Sequence, residues 1–427
     1  MSSSLRFVDV FAGCGGLSLG LMQAGCQGIF AIERNPLAFD TFRHNLIDGK
    51  HYQFNWPTWL PTKAMSIEDL LKNHADSLEK LKGTVDVLVG GPPCQGFSVA
   101  GKRDPDDPRN KMIDQYFLLI EKLAPRFLVI ENVSGFAMKF EANDQPECEP
   151  SNKRKNVSYA EDVARKLEEH GYHVSRGLVN CADYGVPQNR FRYLFLCEKK
   201  DSESFDGTNL IDRLEDSRES FLEKKKLPNR KIVVKEAIGD LETKNKKLVQ
   251  NTDSGRGGYE EISYKELMPS QLNEYLNLMR CLADSEAPNS LRLVNHREKT
   301  IEHFKKVQET CRPGFSMSEA EQKELGTKKH SITVLHPDRP SATITTLPDD
   351  ILHYDEPRVL TVREHARIQS FPDWFSFQGK YTTGGKKRVE ECPRYTQVGN
   401  AVPPLLANAI GKVLIRRAFG HDTEDIQ

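Results

Sequence analysis

The sequence predicts an α/β protein with a doubly wound, mostly parallel sheet and a smaller, less regular second domain. Short apolar runs alternate with helical patterns over the first half of the chain, as they do in successive βαβ units. From about residue 199 the periodicity weakens, and Lys, Glu, Asp and Asn become frequent. Near the C-terminus the pattern tightens again and ends in an amphipathic helix.

The elements of the first domain follow one another in a regular order. Gly25 closes the first helical pattern and Pro125 stops a later one, because these residues end helices. The predicted elements, in chain order, are the strand LRFVDVFAG, the helix LSLGLMQAG, the strand GIFAIE, the helix PLAFDTFRHNL, the strand VDVLVGG, the helix MIDQYFLLIEKLAP, the strand RFLVIENV, the helix AEDVARKLEEHG and the strand RYLFLCE.

Changes of texture along the chain indicate the domain boundaries. We place the first domain at 1–198 plus about 393–427. The second domain and a hinge then occupy about 199–392, with the least regular part at about 199–330. The polar, turn-rich stretch 140–156 predicts a surface loop.

Bulk composition narrows the class of protein. The 427 residues include 60 Lys and Arg against 61 Asp and Glu, which excludes a simple polycation but leaves room for a local basic cleft. No apolar run approaches the ~20 residues needed to cross a membrane, so we expect a soluble cytoplasmic protein. The nine cysteines form no C-x-x-C pair, so we expect reduced thiols and no metal site.

A glycine-rich loop follows the first predicted strand and opens the first predicted helix. Gly13, Gly15 and Gly16 allow a tight turn and a close approach to a ligand at the helix N-terminus. Glu33 closes the next strand, where an acid can accept hydrogen bonds from ribose hydroxyls. The loop matches neither G-x-G-x-x-G nor a P-loop. On its own it leaves NAD and S-adenosylmethionine open as ligands, and an ordinary glycine turn with a surface glutamate as the plain alternative.

A cysteine stands on a stiff corner directly after the strand VDVLVG. Pro92 and Pro93 fix φ and remove two backbone donors just before Cys94. The carboxyl edge of a parallel sheet is where α/β folds place their sites. We therefore interpret Cys94 as a nucleophile rather than a core cysteine, with a site that helps to form its thiolate.

Seven motifs occur in an order typical of the cytosine-C5 DNA methyltransferases, and the chain resembles the prokaryotic members of that family. The match spans roughly residues 5–415 and leaves 199–330 as the variable part. The resemblance implies a sheet of the S-adenosylmethionine-dependent methyltransferase type. The motifs are DVFAGCGG, GGPPCQGFS, ENV, VPQNRFRYLFL, RPSATITT, RVLTVREHARIQSFPDWF and QVGNAVPP.

The resemblance assigns the catalytic roles. Cys94 would add to carbon 6 of cytosine and make carbon 5 nucleophilic. Glu131 would hold the base at N3 and N4, as a protonated carboxyl or by sharing a proton with N3. Arg192 would contact O2 of the base and Glu131, while Arg190 would support the pocket. Family precedent allows water to remove the carbon-5 proton.

Contacts to duplex DNA are also implied by the resemblance. The target base must leave the stacked helix, which costs a few kcal/mol. The segment after Cys94 is similar to a mobile catalytic loop, in which Ser98 and Lys102 would contact DNA; a solvated loop is the plain alternative for each. Gln188 shares the Q-x-R-x-R alternation with Arg190 and Arg192, so the three should share one face of a strand, and we assign Gln188 to DNA binding. The variable part would carry target recognition.

The family cofactor is S-adenosylmethionine. By resemblance, Phe11 would stack on adenine, the glycine loop would approach the methionine part, and Glu33 would hold the ribose. The acid that usually reads the adenine amino group is replaced by Ser66, so Ile67 is expected to stack only. The full set of implied cofactor contacts is Phe11, Gly13, Gly15, Glu33, Ile67, Pro92, Met112, Asn400 and Val402.

The main interpretation is thus a DNA (cytosine-5)-methyltransferase, monomeric on DNA and paired with a restriction endonuclease in a prokaryotic cytoplasm. A tRNA cytosine-5 methyltransferase of related architecture and a non-catalytic DNA-binding protein on the same scaffold remain as alternatives. An NAD-dependent dehydrogenase would share the glycine loop but would give Cys94, Glu131 and Arg192 no joint purpose. The sequence does not identify the DNA target.

Overall fold

A computed structural model of the chain describes residues 4–92, 111–137, 158–203, 205–255, 257–263, 272–282, 287–327, 329, 331–384, 387 and 390–420. Within these ranges the protein has a central sheet of six strands, flanked by helices on both faces, and two small two-stranded ladders. The strands are β1 Arg6–Val10, β2 Gln27–Ile32, β3 Val87–Gly90, β4 Phe127–Val133, β5 Tyr172–Asn180, β6 Phe191–Lys199, β7 Leu248–Gln250, β8 Glu260–Ile262, β9 Thr333–Val334 and β10 Ile351–Leu352.

Helices occupy much of the remaining described chain. Several begin with the capping residues that free backbone N–H groups require. Asn35 caps α2 before Pro36, and Ser158 with Glu161 forms a capping box at α6. The helices are α1 Gly16–Gln23, α2 Pro36–Leu46, α3 Ile67–Asn73, α4 Ala75–Glu79, α5 Lys111–Leu123, α6 Tyr159–Glu169, α7 Leu210–Asp216, α8 Arg218–Lys224, α9 Val234–Ile238, α10 Glu274–Arg280, α11 Glu298–Thr310, α12 Glu319–Leu325, α13 Val362–Ile368, α14 Arg394–Asn400 and α15 Pro404–Phe419.

The order of strands in the central sheet is β2-β1-β3-β4-β6-β5. The pairs β1–β2, β1–β3 and β3–β4 are parallel, whereas β6 runs antiparallel to both β4 and β5. The chain returns from β5 to β6 through a short connection with no crossover helix, which forces the antiparallel pairing. The prediction of a doubly wound, mostly parallel sheet is confirmed, and all nine elements predicted in its first part are present.

Both faces of the sheet are buried, because alternate residues of each strand enter different cores. One core packs against α5 and α6, and the other packs against α1 and α15. In β1, Phe7 points to the second core and Val8 to the first. The contact between α1 and α15 is so close that a Cβ on Gly20 would lie 2.4 Å from the Cβ of Ala407.

The core on the α1 and α15 side continues into the second half of the chain. It includes apolar side chains from α7, α8, α9, α10 and α13. Helix α13 is fully buried, and its Arg367 is held by Asp373 at 2.7 Å and by Asp240 at 2.7 Å. Two smaller cores lie in the same half, one around Phe304 and Val307 and the other around Leu241 and Ile262. The domain boundaries stay a prediction, since packing does not interrupt this core near residue 199.

The run Arg394–Phe419 contains α14 and α15. By length and composition alone, it is long and apolar enough to cross a membrane. The expectation that no apolar run approaches that length therefore overlooked this segment. Its most apolar window is 94% buried inside the protein. The two helices thus form part of the core, as their contacts with α1 and α13 require.

Candidate active site

An acid and an arginine meet at the carboxyl end of the parallel strands. Glu131 lies near the end of β4, opposite Leu194 of β6, and Val133 lies opposite Arg192. The Nε atom of Arg192 is 2.5 Å from Oε1 of Glu131. The Nε–H bond does not point at an acceptor, so the contact is an ion pair rather than a well-aligned hydrogen bond. The side chains of Arg192 and Glu131 are 10% and 13% exposed, which leaves each one edge for a ligand.

The end of β3 lies directly against this acid. A Cβ added to Gly91 would stand 3.1 Å from Oε2 of Glu131, so a larger residue would push the carboxylate away. The side-chain amide of Asn132 donates to the carbonyl of Pro92 at 3.2 Å and fixes the chain where it leaves the sheet. Pro92 is buried here. The contact at Gly91 explains the second glycine of GGPPC. Both contacts place the residues just before Cys94 in the chain, Gly91 and Pro92, beside β4.

Arg190 is a buried brace behind the acid–arginine pair. Its guanidinium donates to the carbonyls of Ile344, Gly399 and Ala401 at 2.9–3.2 Å. The residue as a whole is 2% exposed. Burial, and next the charge of Arg192, lower the pKa of Arg190 to about 9. Arg190 therefore connects the chain before β6 to the QVGNAVPP segment, which fits the supporting role that the resemblance implies.

Gln188 occupies a position that differs from the one expected. It precedes β6 and is fully buried. Its side-chain amide donates to Oε1 of Gln369 at 2.9 Å, and its own oxygen accepts from the backbone N–H of Ile344 at 2.8 Å. Gln188 and Arg190 share a face, as the alternation predicted, because both bind Ile344. That face is covered by protein, so Gln188 has no exposed surface for DNA and the DNA-binding assignment is corrected to an internal support.

The glycine loop adopts a backbone that few residues tolerate. Phe11, Gly13 and Gly15 have φ of 62°, 57° and 98°. A Cβ on Gly15 would lie 2.7 Å from Cδ1 of Leu46, so this position excludes side chains both by conformation and by space. The loop ends at the N-terminus of α1, which presents backbone N–H groups to the space above the sheet.

Glu33 closes the other side of this pocket. Its Oε2 accepts from the backbone N–H of Gly13 at 2.9 Å, and its Oε1 accepts from that of Asn35 at 2.6 Å. Burial raises the pKa of Glu33, while the two backbone donors oppose the shift. Each carboxylate oxygen retains a further lone pair, so a ribose hydroxyl can still donate to it.

The remaining predicted cofactor residues surround the same loop to different degrees. Met65 N–H donates to the carbonyl of Glu33 at 2.8 Å, and Ile67, two residues further along, is buried in the first turn of α3. Ser66 caps α3 through the N–H of Asp69 at 3.0 Å, so its hydroxyl already serves the helix. Val402 arrives from the other end of the chain, since a Cβ on Gly16 would lie 2.3 Å from its carbonyl oxygen.

Two further predicted cofactor contacts lie at element ends. Met112 is half-buried in the first turn of α5, and Asn400 is exposed at the end of α14. No hydrogen bond or ion pair to another described residue defines the role of either side chain.

Sequence reasoning missed a buried acid beneath the glycine loop. Asp9, in the middle of β1, is 1% exposed and accepts a hydrogen bond from the Ser18 hydroxyl at 2.5 Å, while its second oxygen has no partner among the described residues. Burial raises the pKa of Asp9 to about 7, against the hydrogen bond from Ser18 and with help from the charge of Glu33. An acid in the otherwise apolar run RFVDVF was the signal that could have revealed it.

Three predicted site residues, Cys94, Ser98 and Lys102, lie outside the described residues, as does the predicted surface loop at 140–156. The seven described cysteines are all free thiols. Among the described residues there is no cluster of His, Cys, Asp and Glu able to hold a metal ion.

The two sites together define a class of enzyme. A strained glycine loop with an acid one strand away suits the sugar and amino-acid parts of a nucleoside cofactor. A confined carboxylate–guanidinium pair at the same sheet edge suits a planar substrate with adjacent donors and acceptors. Together the two sites suit an enzyme that binds a nucleoside cofactor beside a planar, hydrogen-bonding substrate.

Comparison with known proteins identifies the family. The family model for C-5 cytosine-specific DNA methylases matches residues 5–416, and the chain belongs to this family. The Type II methyltransferase M.DdeI of Desulfomicrobium norvegicum is 30% identical over 416 residues, which cover 96% of this chain and 88% of that protein. The Type II methyltransferase M1.HphI of Haemophilus parahaemolyticus is 30% identical over 419 residues, covering 97% and 87%. The protein is therefore a DNA cytosine-5 methyltransferase, as predicted.

Solved structures confirm the fold. A protein described as a DNA modification methyltransferase encoded within an E. coli prophage superposes with a TM-score of 0.62 at 23% identity, covering 96% of this chain and 98% of that one. The Dnmt2 methyltransferase of S. pombe superposes with a TM-score of 0.52 at 17% identity, covering 98% and 100%. The sheet is thus of the predicted methyltransferase type.

Proposed function

We propose that the enzyme transfers a methyl group from S-adenosylmethionine to carbon 5 of a cytosine flipped out of a specific duplex sequence, through a covalent bond between Cys94 and carbon 6. The observation that carries this proposal is the contact of Glu131 with Arg192 at the edge where β3 leads into the cysteine corner. Such a pair can hold N3, N4 and O2 of a cytosine in one plane.

The reaction follows from the charge that the base must accept. The Cys94 thiolate adds to carbon 6, and the electron pair of the 5,6 double bond moves towards carbon 5 and the ring carbonyl. Arg192 stabilises the negative charge that develops at O2, and Glu131 supplies a proton or hydrogen bond at N3. When bound, S-adenosylmethionine supplies the methyl group that carbon 5 takes up. Removal of the carbon-5 proton then returns the electron pair to the ring and expels the Cys94 thiolate.

Position and confinement of the acid support this role. Glu131 is 13% exposed and Arg192 is 10% exposed, so a base that enters would displace most of the remaining water. Arg192 also donates from Nη1 to the carbonyl of Phe191 at 2.7 Å, which limits its motion. A held guanidinium presents its free N–H groups in a fixed direction, as a site for a planar base requires.

Features of the glycine loop support S-adenosylmethionine as the cofactor. Gly13 and Gly15 would let the amino-acid part approach the backbone, Glu33 would bind the ribose hydroxyls, and Phe11 and Ile67 would contact the adenine. Pro92, Met112, Asn400 and Val402 would complete the boundary. The free lone pairs of Glu33 and the close approach of Val402 to the loop support this assignment.

The relatives support a proposal for the setting in the cell. Both relatives named above are Type II methyltransferases of bacteria. We therefore place the enzyme in a prokaryotic cytoplasm, acting as a monomer on DNA, with a restriction endonuclease that shares its target. The target would be read by the variable part at about 199–330.

Bisulfite sequencing tests the proposal directly. Purified enzyme is incubated with S-adenosylmethionine and a plasmid of mixed sequence, and protected cytosines are mapped. Protection at one short sequence context is the expected result and identifies the target. Protection of cytosines in tRNA but not in duplex DNA would favour the tRNA enzyme instead. Binding of DNA without protection in either nucleic acid would favour the non-catalytic scaffold.

A further inference from the structure

An exposed phenylalanine lies between two arginines in a turn of the second half of the chain. The guanidinium carbon of Arg312 is 4.1 Å from the ring centroid of Phe315, and that of Arg339 is 5.5 Å from it. Phe315 is 43% exposed, and both arginines are exposed. We call these three residues the Arg–Phe–Arg patch.

The turn that carries the patch is firmly held. Gly314 has φ of 83°, and its N–H donates to the carbonyl of Val334 in β9 at 2.7 Å. On the far side of Phe315, the N–H of Met317 donates to the carbonyl of Ile332 at 2.8 Å. Backbone hydrogen bonds on both sides of Phe315 therefore hold the turn that presents its ring at the surface.

Two acids lie near the patch, but they bind its backbone or precede it in the chain. Glu321 accepts from the backbone N–H of Arg312 at 3.0 Å, and Asp338 precedes Arg339 in the chain. Yet within the described part of the chain neither guanidinium forms an ion pair with a carboxylate. This contrasts with Arg358, which forms close ion pairs with Glu364 and Glu356. Two exposed guanidinium groups on an aromatic ring, neither in an ion pair with a described carboxylate, suit a polyanion.

The patch is connected to the catalytic edge through backbone hydrogen bonds. Ser341, two residues after Arg339, donates to the carbonyl of Pro187 at 2.9 Å and accepts from the N–H of Asn189 at 2.8 Å. From Gln188 the chain continues for four residues to Arg192. Six extended residues and one strand spacing amount to at most about 26 Å between the backbones of Arg339 and Arg192. At ~3.4 Å per base step, that distance corresponds to about seven base pairs or fewer.

We infer that the Arg–Phe–Arg patch binds the DNA backbone within a few base pairs of the flipped cytosine. The inference rests on the proposed function, which supplies the duplex. Arg312 and Arg339 contact phosphates. Phe315 holds the two guanidinium groups in place, and its ring packs against a deoxyribose. Contacts of this kind position the duplex and carry no sequence information of their own.

Salt-dependent binding distinguishes the roles of the three residues. The probe is a duplex that contains the target found by bisulfite sequencing, and Kd is measured over a range of salt concentrations. For Arg312→Ala combined with Arg339→Ala, we expect Kd at 150 mM salt to rise roughly 10- to 100-fold and the salt slope to fall by about 2, because two phosphate contacts are lost. For Phe315→Leu, we expect a rise of about 2- to 5-fold with an unchanged slope, since both charges remain. The turnover rate at saturating DNA should stay the same in both variants.

Arg165→Ala is the matched control. Arg165 is exposed on α6 and is already bound to Asp162 and Glu169, so its loss should leave Kd and the salt slope unchanged. If the double arginine variant of an active enzyme binds the duplex with unaltered Kd and slope, the inference is overturned while the proposed function stands. If the unaltered enzyme neither binds nor methylates duplex DNA, the proposed function fails, and the inference fails with it.

Discussion

The Nε atom of Arg192 lies 2.5 Å from Oε1 of Glu131, where β4 ends and its antiparallel neighbour β6 begins. Because both side chains are largely buried, loss of one partner leaves a charge without compensation. Breaking the pair should therefore destabilise the fold, apart from any effect on the base that we propose it binds. A substitution here must be assessed by rate per folded molecule as well as by total activity.

Glu131→Gln should lower the methylation rate at saturating DNA by at least about 10²-fold. The amide preserves the shape of the side chain but cannot deliver a proton to N3, and general acid catalysis is typically worth 10²–10⁴ in rate. The measurement is single-turnover transfer of labelled methyl groups to the target duplex. Affinity for S-adenosylmethionine should change by less than about 2-fold, since Glu131 is not among the proposed cofactor contacts.

Glu198→Gln is the control for that variant. Glu198 is 2% exposed and its Oε2 lies 2.6 Å from Nε of Arg417, so the pair resembles the catalytic one in burial and contact. It lies at the opposite end of β6, away from the active edge. Its loss should lower the melting temperature and leave the single-turnover rate unchanged. Equal rates for Glu131→Gln and Glu198→Gln would contradict the catalytic role of Glu131.

Cys94→Ser should abolish methylation and leave cofactor affinity nearly intact. A hydroxyl is a far weaker nucleophile than a thiolate near neutral pH, so carbon 6 would not be attacked. Cys281→Ser, at an exposed cysteine, is the control and should retain full activity. A target duplex with 5-fluorocytosine should trap a covalent adduct with the unaltered enzyme, visible as a band of higher mass under denaturing conditions. Turnover by Cys94→Ser, or absence of the adduct despite DNA binding, would reject attack by this thiol.

The parts of the fold that could be predicted are those with local signals. The strand before Glu131 could be recognised because a continuous apolar run indicates a strand buried on both faces. β5, at the edge of the sheet, was missed because its residues YHVSRGLVN mix polar and apolar side chains, as an edge strand permits. Phe191–Lys199 was recognised as a strand, but its antiparallel direction depends on the connection from β5, which no residue pattern announces.

The parts of the site that could not be predicted depend on long-range packing. Alternation places Gln188 and Arg190 on one face, but what covers that face is decided by Ile344 and Gln369, more than 150 residues away in the chain. The same holds for Val402, whose approach to the glycine loop joins the two ends of the chain. The order of the motifs identified these residues as members of one site. Only the packing shows which of them are exposed to a ligand and which are buried and support the site from within.

Gly15→Ala should weaken both the fold and cofactor binding. An alanine at position 15 would need a backbone φ of 98°, and its Cβ would lie 2.7 Å from Cδ1 of Leu46. Position 15 belongs to the loop that we propose binds the cofactor. Gly83→Ala is the matched control, because φ is 71° there and nothing lies within 4 Å of the added Cβ. We expect about 1–2 kcal/mol of lost stability for Gly83→Ala from conformation alone, and more for Gly15→Ala.

Titration calorimetry with S-adenosylmethionine completes that comparison. Affinity should fall at least about 10-fold in Gly15→Ala and remain unchanged in Gly83→Ala. Similar affinities in the two variants would show that the loop around Gly15 does not hold the cofactor.

Asp9 should make stability depend on pH in a direction opposite to that of most acids. Its folded pKa of about 7 lies above the ordinary value of 3.8, because burial favours the neutral carboxyl. Between these two values the folded state holds a proton that the unfolded chain has lost. The contribution is therefore fully present below pH 3.8, declines as pH rises towards 7, and is constant above that. From pH 5 to pH 7 the loss amounts to about 2 kcal/mol, since the folded group is half titrated at pH 7.

Comparison with Asp9→Asn isolates this effect. Asparagine mimics the neutral acid and can still accept a hydrogen bond from Ser18. The stability of Asp9→Asn should therefore not depend on pH through position 9. Buried His365 acts in the opposite sense, since burial lowers its pKa to about 4, and stability through it is lost as pH falls below 6.5. Both proteins contain His365, so its contribution cancels in the difference. The free energy of unfolding is measured in urea at pH 5, 6, 7 and 8. As pH rises to 7, the value for Asp9→Asn should increase relative to that for the unaltered enzyme, and above pH 7 the difference should stay nearly constant. Parallel profiles over the whole range would mean that Asp9 is ionised in the fold throughout, and that the carboxyl beneath the glycine loop is charged when the cofactor binds.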